Sequence, residues 1–123
     1  MGDLNRYFNY REFKCQGTDC CGGSHPVHPE LADGLEQLRE LVGIPIVITS
    51  GFRCRRHNIE IGGEKKSYHM LAMAADIKCD GLTPDELAKW ATQVEQFNNG
   101  GIGVYVSWVH VDVRQGGRAR WRG

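Results

Sequence analysis

No stretch of the chain approaches the roughly 18 consecutive apolar residues that a membrane span requires, so none is expected. The start, Met1-Gly2-Asp3-Leu4-Asn5-Arg6, has no apolar core of the kind a secretion signal carries. It also lacks the Ser or Thr at position 6 that a myristoylation signal wants. Net charge is missing too. Fifteen Lys and Arg balance 15 Asp and Glu, which argues against a nucleic-acid binder acting through a basic face. Repeats and low-complexity tracts are absent. The cysteine count is odd, at five. Five thiols cannot all pair within one chain, and without an export signal a full disulfide framework is disfavoured. Free thiols, a metal role or partial pairing remain. What is left is one domain spanning residues 1–123, long enough to bury a core without covalent staples. A monomer made in the cytoplasm is the expectation.

Residues 1–27 read as an irregular arm, with Tyr7, Phe8, Tyr10 and Phe13 packing it onto the body. A helix follows. Pro29 suits the first turn, Leu31, Leu35, Leu38, Leu41 and Val42 repeat at helical spacing, and Gly43 ends it. The β-branched run 44–49 predicts a buried strand. Residues 50–63 predict a loop with a short helix, and 72–78 a strand with Ala74 and Asp76 on one face and Ala75 and Ile77 on the other. Thr83, Pro84 and Glu86 form a capping box that starts a helix whose apolar stripe runs through Leu87, Trp90, Ala91, Val94 and Phe97. Strands are expected over 102–106 and 108–113, then a Gly- and Arg-rich tail. The order predicts an α+β domain, an antiparallel sheet with packed helices.

Three residues share the traits of metal ligands: His69 and Asp76, seven apart, and His110 on a later strand. Two imidazoles and one carboxylate suit Zn²⁺, and three protein ligands leave the fourth position to water, the catalytic arrangement. Spacing alone does not separate this from histidines that merely satisfy a core or a surface.

On these residues the chain resembles the zinc D-Ala-D-Ala carboxypeptidases of the peptidase M15 family, whose fold the hedgehog signalling domain shares. The family pattern S-x-H-x-x-G-x-A-x-D matches Ser67, His69, Ala74 and Asp76; its late strand matches Trp108, Val109, His110 and Asp112; its upstream S-G-[YF]-R matches Ser50-Gly51-Phe52-Arg53. The likeness runs from about Tyr7 to Trp121 and is strongest to the short single-domain branch of phages and bacteria. It implies His69, Asp76 and His110 as zinc ligands and Arg53 as the cation beside the substrate carbonyl, where a fixed guanidinium stabilises oxyanion charge. The implied activity is hydrolysis of peptide bonds in peptidoglycan stems or crosslinks, as a carboxypeptidase or an endolysin-type endopeptidase, acting at the cell wall after release or on a virion. The other reading is a zinc-binding structural or wall-binding module without turnover, such as a phage tail component.

Two positions depart from the family pattern. Ala72 replaces the glycine between the first two ligands, tolerable if its φ is negative. Ser107 stands where the family carries an Asp or Glu, and a hydroxyl is no general base near pH 7. Asp112 shares a strand face with His110 and is either the base or the partner that orients a ligand histidine. Ser67 either bonds substrate or caps a turn. Cys15, Cys20 and Cys21, with His25 and His28 nearby, suggest a second metal site or a disulfide to Cys54, whereas Cys79 reads as a buried hydrophobe. His57 reads as structural or as a helix-surface residue, and Glu60 and Glu64 as solvated. Tyr105 and Trp108 read as cleft walls or as core. Arg114, Arg118, Arg120 and Arg122 read as a solvated tail or a contact for an anionic wall polymer.

Overall fold

The computed structural model describes residues 2–17 and 26–123. The expected site elements Cys20, Cys21 and His25 lie outside the described residues. Among these residues four α-helices and five strands follow in the order α1 (Pro29–Val42), β1 (Val47–Ser50), α2 (Arg55–Glu60), β2 (Ala74–Lys78), α3 (Pro84–Ala91), α4 (Glu95–Asn98), β3 (Gly101–Val104), β4 (Val109–Asp112) and β5 (Ala119–Arg122). The sheet order is β1-β2-β4-β3-β5. The α+β expectation holds. The sheet is mixed rather than wholly antiparallel, because β5 joins β3 in parallel.

Local chemistry sets the helix ends. His28 Nδ1 accepts from the Glu30 amide at 3.2 Å, Pro29 fills the first turn, and Gly43 leaves α1 at φ +72. Thr83 and Glu86 cap α3 reciprocally. The single helix expected from Thr83 to Phe97 is two. The Thr92 hydroxyl donates to the Lys89 carbonyl at 2.6 Å and Val94 is extended (φ −97, ψ 119), so the backbone ladder gives way to local bonding before α4 begins.

One face of the sheet carries the core. Ala75, Ile77, Val109, Val111 and Ile102 pack with Leu31, Leu35, Leu38, Leu87, Ala91 and Phe97 from the helices. Buried Phe8 and Phe13 bring the N-terminal arm onto this core, as expected, with ring centroids 6.0 Å apart edge to face. The Phe52 amide donates to the Phe13 carbonyl at 2.7 Å. The other sheet face builds the site, and register explains how. Asp76 pairs with His110, His110 with Gly103, and Gly103 with Trp121, in one row across β2, β4, β3 and β5. In the adjacent row Asp112 lies between Ala74 and Gly101. Polar side chains on this face therefore stand beside residues too small to cover them.

Candidate metal centre and cleft

His69 sits on a one-turn 3-10 helix (Tyr68–Leu71) just before β2. Ser67 caps that turn, its Oγ accepting from the His69 amide at 3.2 Å. Ala72 then takes φ +55 and turns the chain into β2. The negative φ needed to make alanine innocuous here is therefore not met. A left-handed residue is what the family glycine would supply without strain, and alanine costs about 1–2 kcal/mol there.

His69, Asp76 and His110 are all buried, and one ligand atom from each lies within 4.8 Å of the others. The His69 ring faces the Gly51 carbonyl through Nδ1 at 2.7 Å. That carbonyl is only an acceptor, so Nδ1 carries a proton, and in the neutral ring Nε2 carries the lone pair. Nε2 is buried without a hydrogen-bond partner among the described residues, yet it stands 3.3 Å from Asp76 Oδ1. Two acceptors face each other at that distance. His110 Nδ1 stands 3.2 Å from the same oxygen. A tetrahedral ion with bonds of about 2.0–2.1 Å separates its ligands by about 3.3 Å, so both spacings fit ligands of one small cation. The nitrogen and carboxylate donors are of the type zinc takes.

Asp112 is fully buried. Its Oδ1 accepts from the Gly101 amide at 2.9 Å, the Arg114 amide at 3.1 Å and Arg114 Nε at 2.9 Å. Its Oδ2 accepts from Arg114 Nη2 and His110 Nε2, both at 2.7 Å. No face of the carboxylate is left for a water, and Asp112 does not line the cleft. Asp112 thus contacts the His110 ring, in a position to orient it, and points its carboxylate away from the cleft. Burial alone would raise the carboxyls of Asp76 and Asp112. For Asp76 the His110 hydrogen bond and the charge of the neighbouring imidazoles, and for Asp112 the bonds to His110 and Arg114, outweigh it and hold both well below the ordinary carboxylate range. Burial would lower His110, but its bonds to Asp112 and Asp76 raise it above the ordinary imidazole value.

Arg53 is tied on three sides. Nε donates to Ser50 Oγ at 3.2 Å, Nη1 to Asn58 Oδ1 at 3.2 Å and Nη2 to Asp76 Oδ2 at 3.3 Å. It lines a cleft of about 510 Å³ that also holds His69, Asp76 and His110, so the structure brings all three ligand candidates and Arg53 together. Tyr105 and Trp108 line the same cleft, stacked at 4.7 Å. Ser107 is exposed and does not line it.

Several lining residues escaped the sequence reading. Glu64, read as solvated, is on the cleft, as are Lys66, Tyr68, Arg114 and Trp121. Glu64 is the one carboxylate besides Asp76 among the described lining residues. Of the four tail arginines, Arg118 is exposed, whereas Arg114, Arg120 and Arg122 make contacts within the chain. Arg114 holds Asp112, Arg120 donates to the Asn98 and Gly100 carbonyls, and Arg122 pairs with Asp85 at 2.8 Å. Only the short alternation Ala119-Arg120-Trp121-Arg122 hinted at a strand.

Cys15 Sγ and Cys54 Sγ lie 3.7 Å apart, which brings the arm beside the loop carrying Arg53. Cys79 is buried, and burial pushes its thiol up, in keeping with an inert side chain. His57 is half-buried on α2 and does not line the cleft. No described helix is long and apolar enough to cross a membrane.

The sequence model of the family described as Peptidase M15 matches residues 6–112. No curated protein matches the chain.

Proposed function

The chain belongs to the peptidase M15 family, and from that premise we propose that it is a zinc-dependent peptidase acting on peptide stems or crosslinks of peptidoglycan. The observation that carries the metal reading is the convergence of three buried ligand groups, His69 Nε2 without a hydrogen-bond partner among the described residues, His110 Nδ1 and the Asp76 carboxylate, within 4.8 Å of one another. His69 Nε2, His110 Nδ1 and the Asp76 carboxylate would hold the ion. When bound, zinc supplies a Lewis acid for the scissile carbonyl and lowers the pKa of water.

The protein's own groups do the rest. The Gly51 carbonyl fixes the His69 tautomer, and Asp112 fixes that of His110. Arg53, held by Ser50, Asn58 and Asp76, places a cation where charge develops on the carbonyl oxygen. Glu64, the one carboxylate besides Asp76 on the described cleft lining, is the candidate to accept the proton of the attacking water and return it to the leaving amine as the carbon–nitrogen bond breaks. Stacked Tyr105 and Trp108 wall the cleft. The wall-peptide substrate follows from the family resemblance, and an endolysin or a wall-remodelling enzyme fits it equally.

The test is amine release from D-Ala-D-Ala-terminated and crosslinked wall peptides. Release that vanishes with a chelator and in His69→Ala supports the peptidase. The exposed Ser107, in place of an acid, favours the second reading, a zinc-bearing structural or wall-binding module. One bound zinc with no cleavage of any wall peptide would establish that reading instead.

A further inference from the structure

The family match ends at residue 112, yet two cleft residues lie beyond it. We propose that Arg114 and Trp121 are positioning residues of the metal centre, clamping Asp112 and His110 so that His110 Nδ1 faces Asp76, and thereby setting the affinity for the ion. This rests on the metal reading above.

Arg114 grips both oxygens of Asp112 as a fork, Nε on Oδ1 at 2.9 Å and Nη2 on Oδ2 at 2.7 Å. Such paired, charge-assisted bonds fix orientation as well as position. Its guanidinium is itself held over two rings, 4.5 Å from the Tyr68 centroid and 5.2 Å from that of Trp121. Trp121 reaches this place across Gly103, where any Cβ would run into the indole. There its ring lies 5.1 Å from that of His110. Its Nε1 donates to the Tyr105 hydroxyl at 2.9 Å, tying β5 to the hairpin that follows β3. Asp112 in turn accepts from His110 Nε2 at 2.7 Å. With Nε2 carrying the proton, Nδ1 is left as a lone pair toward Asp76. If Asp112 turned away, the His110 proton could move to Nδ1 and block the ligand position. Asp112, gripped by Arg114 and backed by Trp121 on β5, is thus what keeps a ligand histidine in its binding tautomer.

The experiment measures zinc affinity by chelator competition, and the cobalt(II) absorption spectrum, on the full chain. Melting of each metal-free variant verifies folding. Arg114→Gln and Trp121→Ala are each expected to weaken zinc about 10- to 100-fold, as loss of partners behind a metal ligand does. Arg114→Lys, with a single donor group in place of the fork, should fall between parent and Arg114→Gln. Trp121→Phe, which keeps a ring, should stay close to the parent. Parent-like affinity and an unchanged cobalt spectrum in folded Arg114→Gln would overturn the proposal. If that variant does not fold, the same result in Arg114→Lys and Trp121→Ala would overturn it. A parent that binds neither zinc nor cobalt would instead sink the metal reading itself.

Discussion

Replacing Asp112 with asparagine changes one oxygen to an amide group and leaves the shape of the side chain alone. Five hydrogen bonds converge on this buried carboxylate, three on Oδ1 and two on Oδ2. The better of the two amide orientations keeps oxygen at the Oδ1 position and preserves three bonds. The NH₂ then faces Arg114 Nη2 and His110 Nε2, both at 2.7 Å, donor against donor. The other orientation loses three bonds and is worse. Two bonds to charged partners at about 1.5–3 kcal/mol each agree with the about 3–5 kcal/mol lost when one member of a buried pair is removed. The Arg114 side chain is 22% exposed and can turn partly to water, so the lower end, about 3 kcal/mol, is expected. Urea unfolding of metal-free parent and Asp112→Asn at neutral pH measures it. Chelator competition on the same samples should show zinc bound about 10- to 100-fold more weakly. A stability loss under about 1 kcal/mol with parent-like zinc affinity would refute the reasoning, because Asp112 would then be bracing neither Arg114 nor His110.

Gly103→Ala should displace Trp121, since the new methyl runs into the indole; about 1–3 kcal/mol of stability and part of the near-ultraviolet tryptophan dichroism should be lost. Arg53→Met should lower kcat on a wall peptide by about 10²–10³-fold while one zinc per chain remains bound. In the metal-free protein, His110 sits above its ordinary 6.5, so its contribution is full below pH 6.5 and fades as pH rises through the raised value. Asp76 and Asp112 sit below their ordinary 3.8, so their contributions are present above that value and are lost as pH falls through the lowered ones. Thermal melts of the metal-free protein should therefore peak between about pH 4 and 6.5. Zinc should move the optimum upward, because protonated His110 cannot ligate.

Elements fixed by local chemistry were legible in the sequence. The capping residues and apolar spacing of α1, and the alternation of β2, have causes within a few residues. His69, Asp76 and His110 could be picked out by residue type and by family pattern, although the register that lines up Asp76 and His110 is a property of the sheet. What was not legible depends on distant partners. The tail became a strand because β3 offered a free edge and Gly103 left room for Trp121, neither of which local periodicity reports. Arg114 looked like one of several tail arginines until its fork on Asp112 was seen. Asp112 shared a face with His110 as expected, but burial and five bonds closed it to water. Glu64 looked solvated because nothing in its neighbours says that the loop before His69 borders the cleft. Ala72 at φ +55 was hidden for a related reason: the residue type argues against a left-handed turn that the path from His69 into β2 imposes.

The most direct test of the central claim is anomalous X-ray scattering at the zinc edge from crystals of the zinc-loaded protein. One peak about 2.0–2.2 Å from His69 Nε2, His110 Nδ1 and an Asp76 oxygen is the predicted result. A zinc-loaded crystal with no peak among these three side chains, or with its zinc elsewhere, would contradict it.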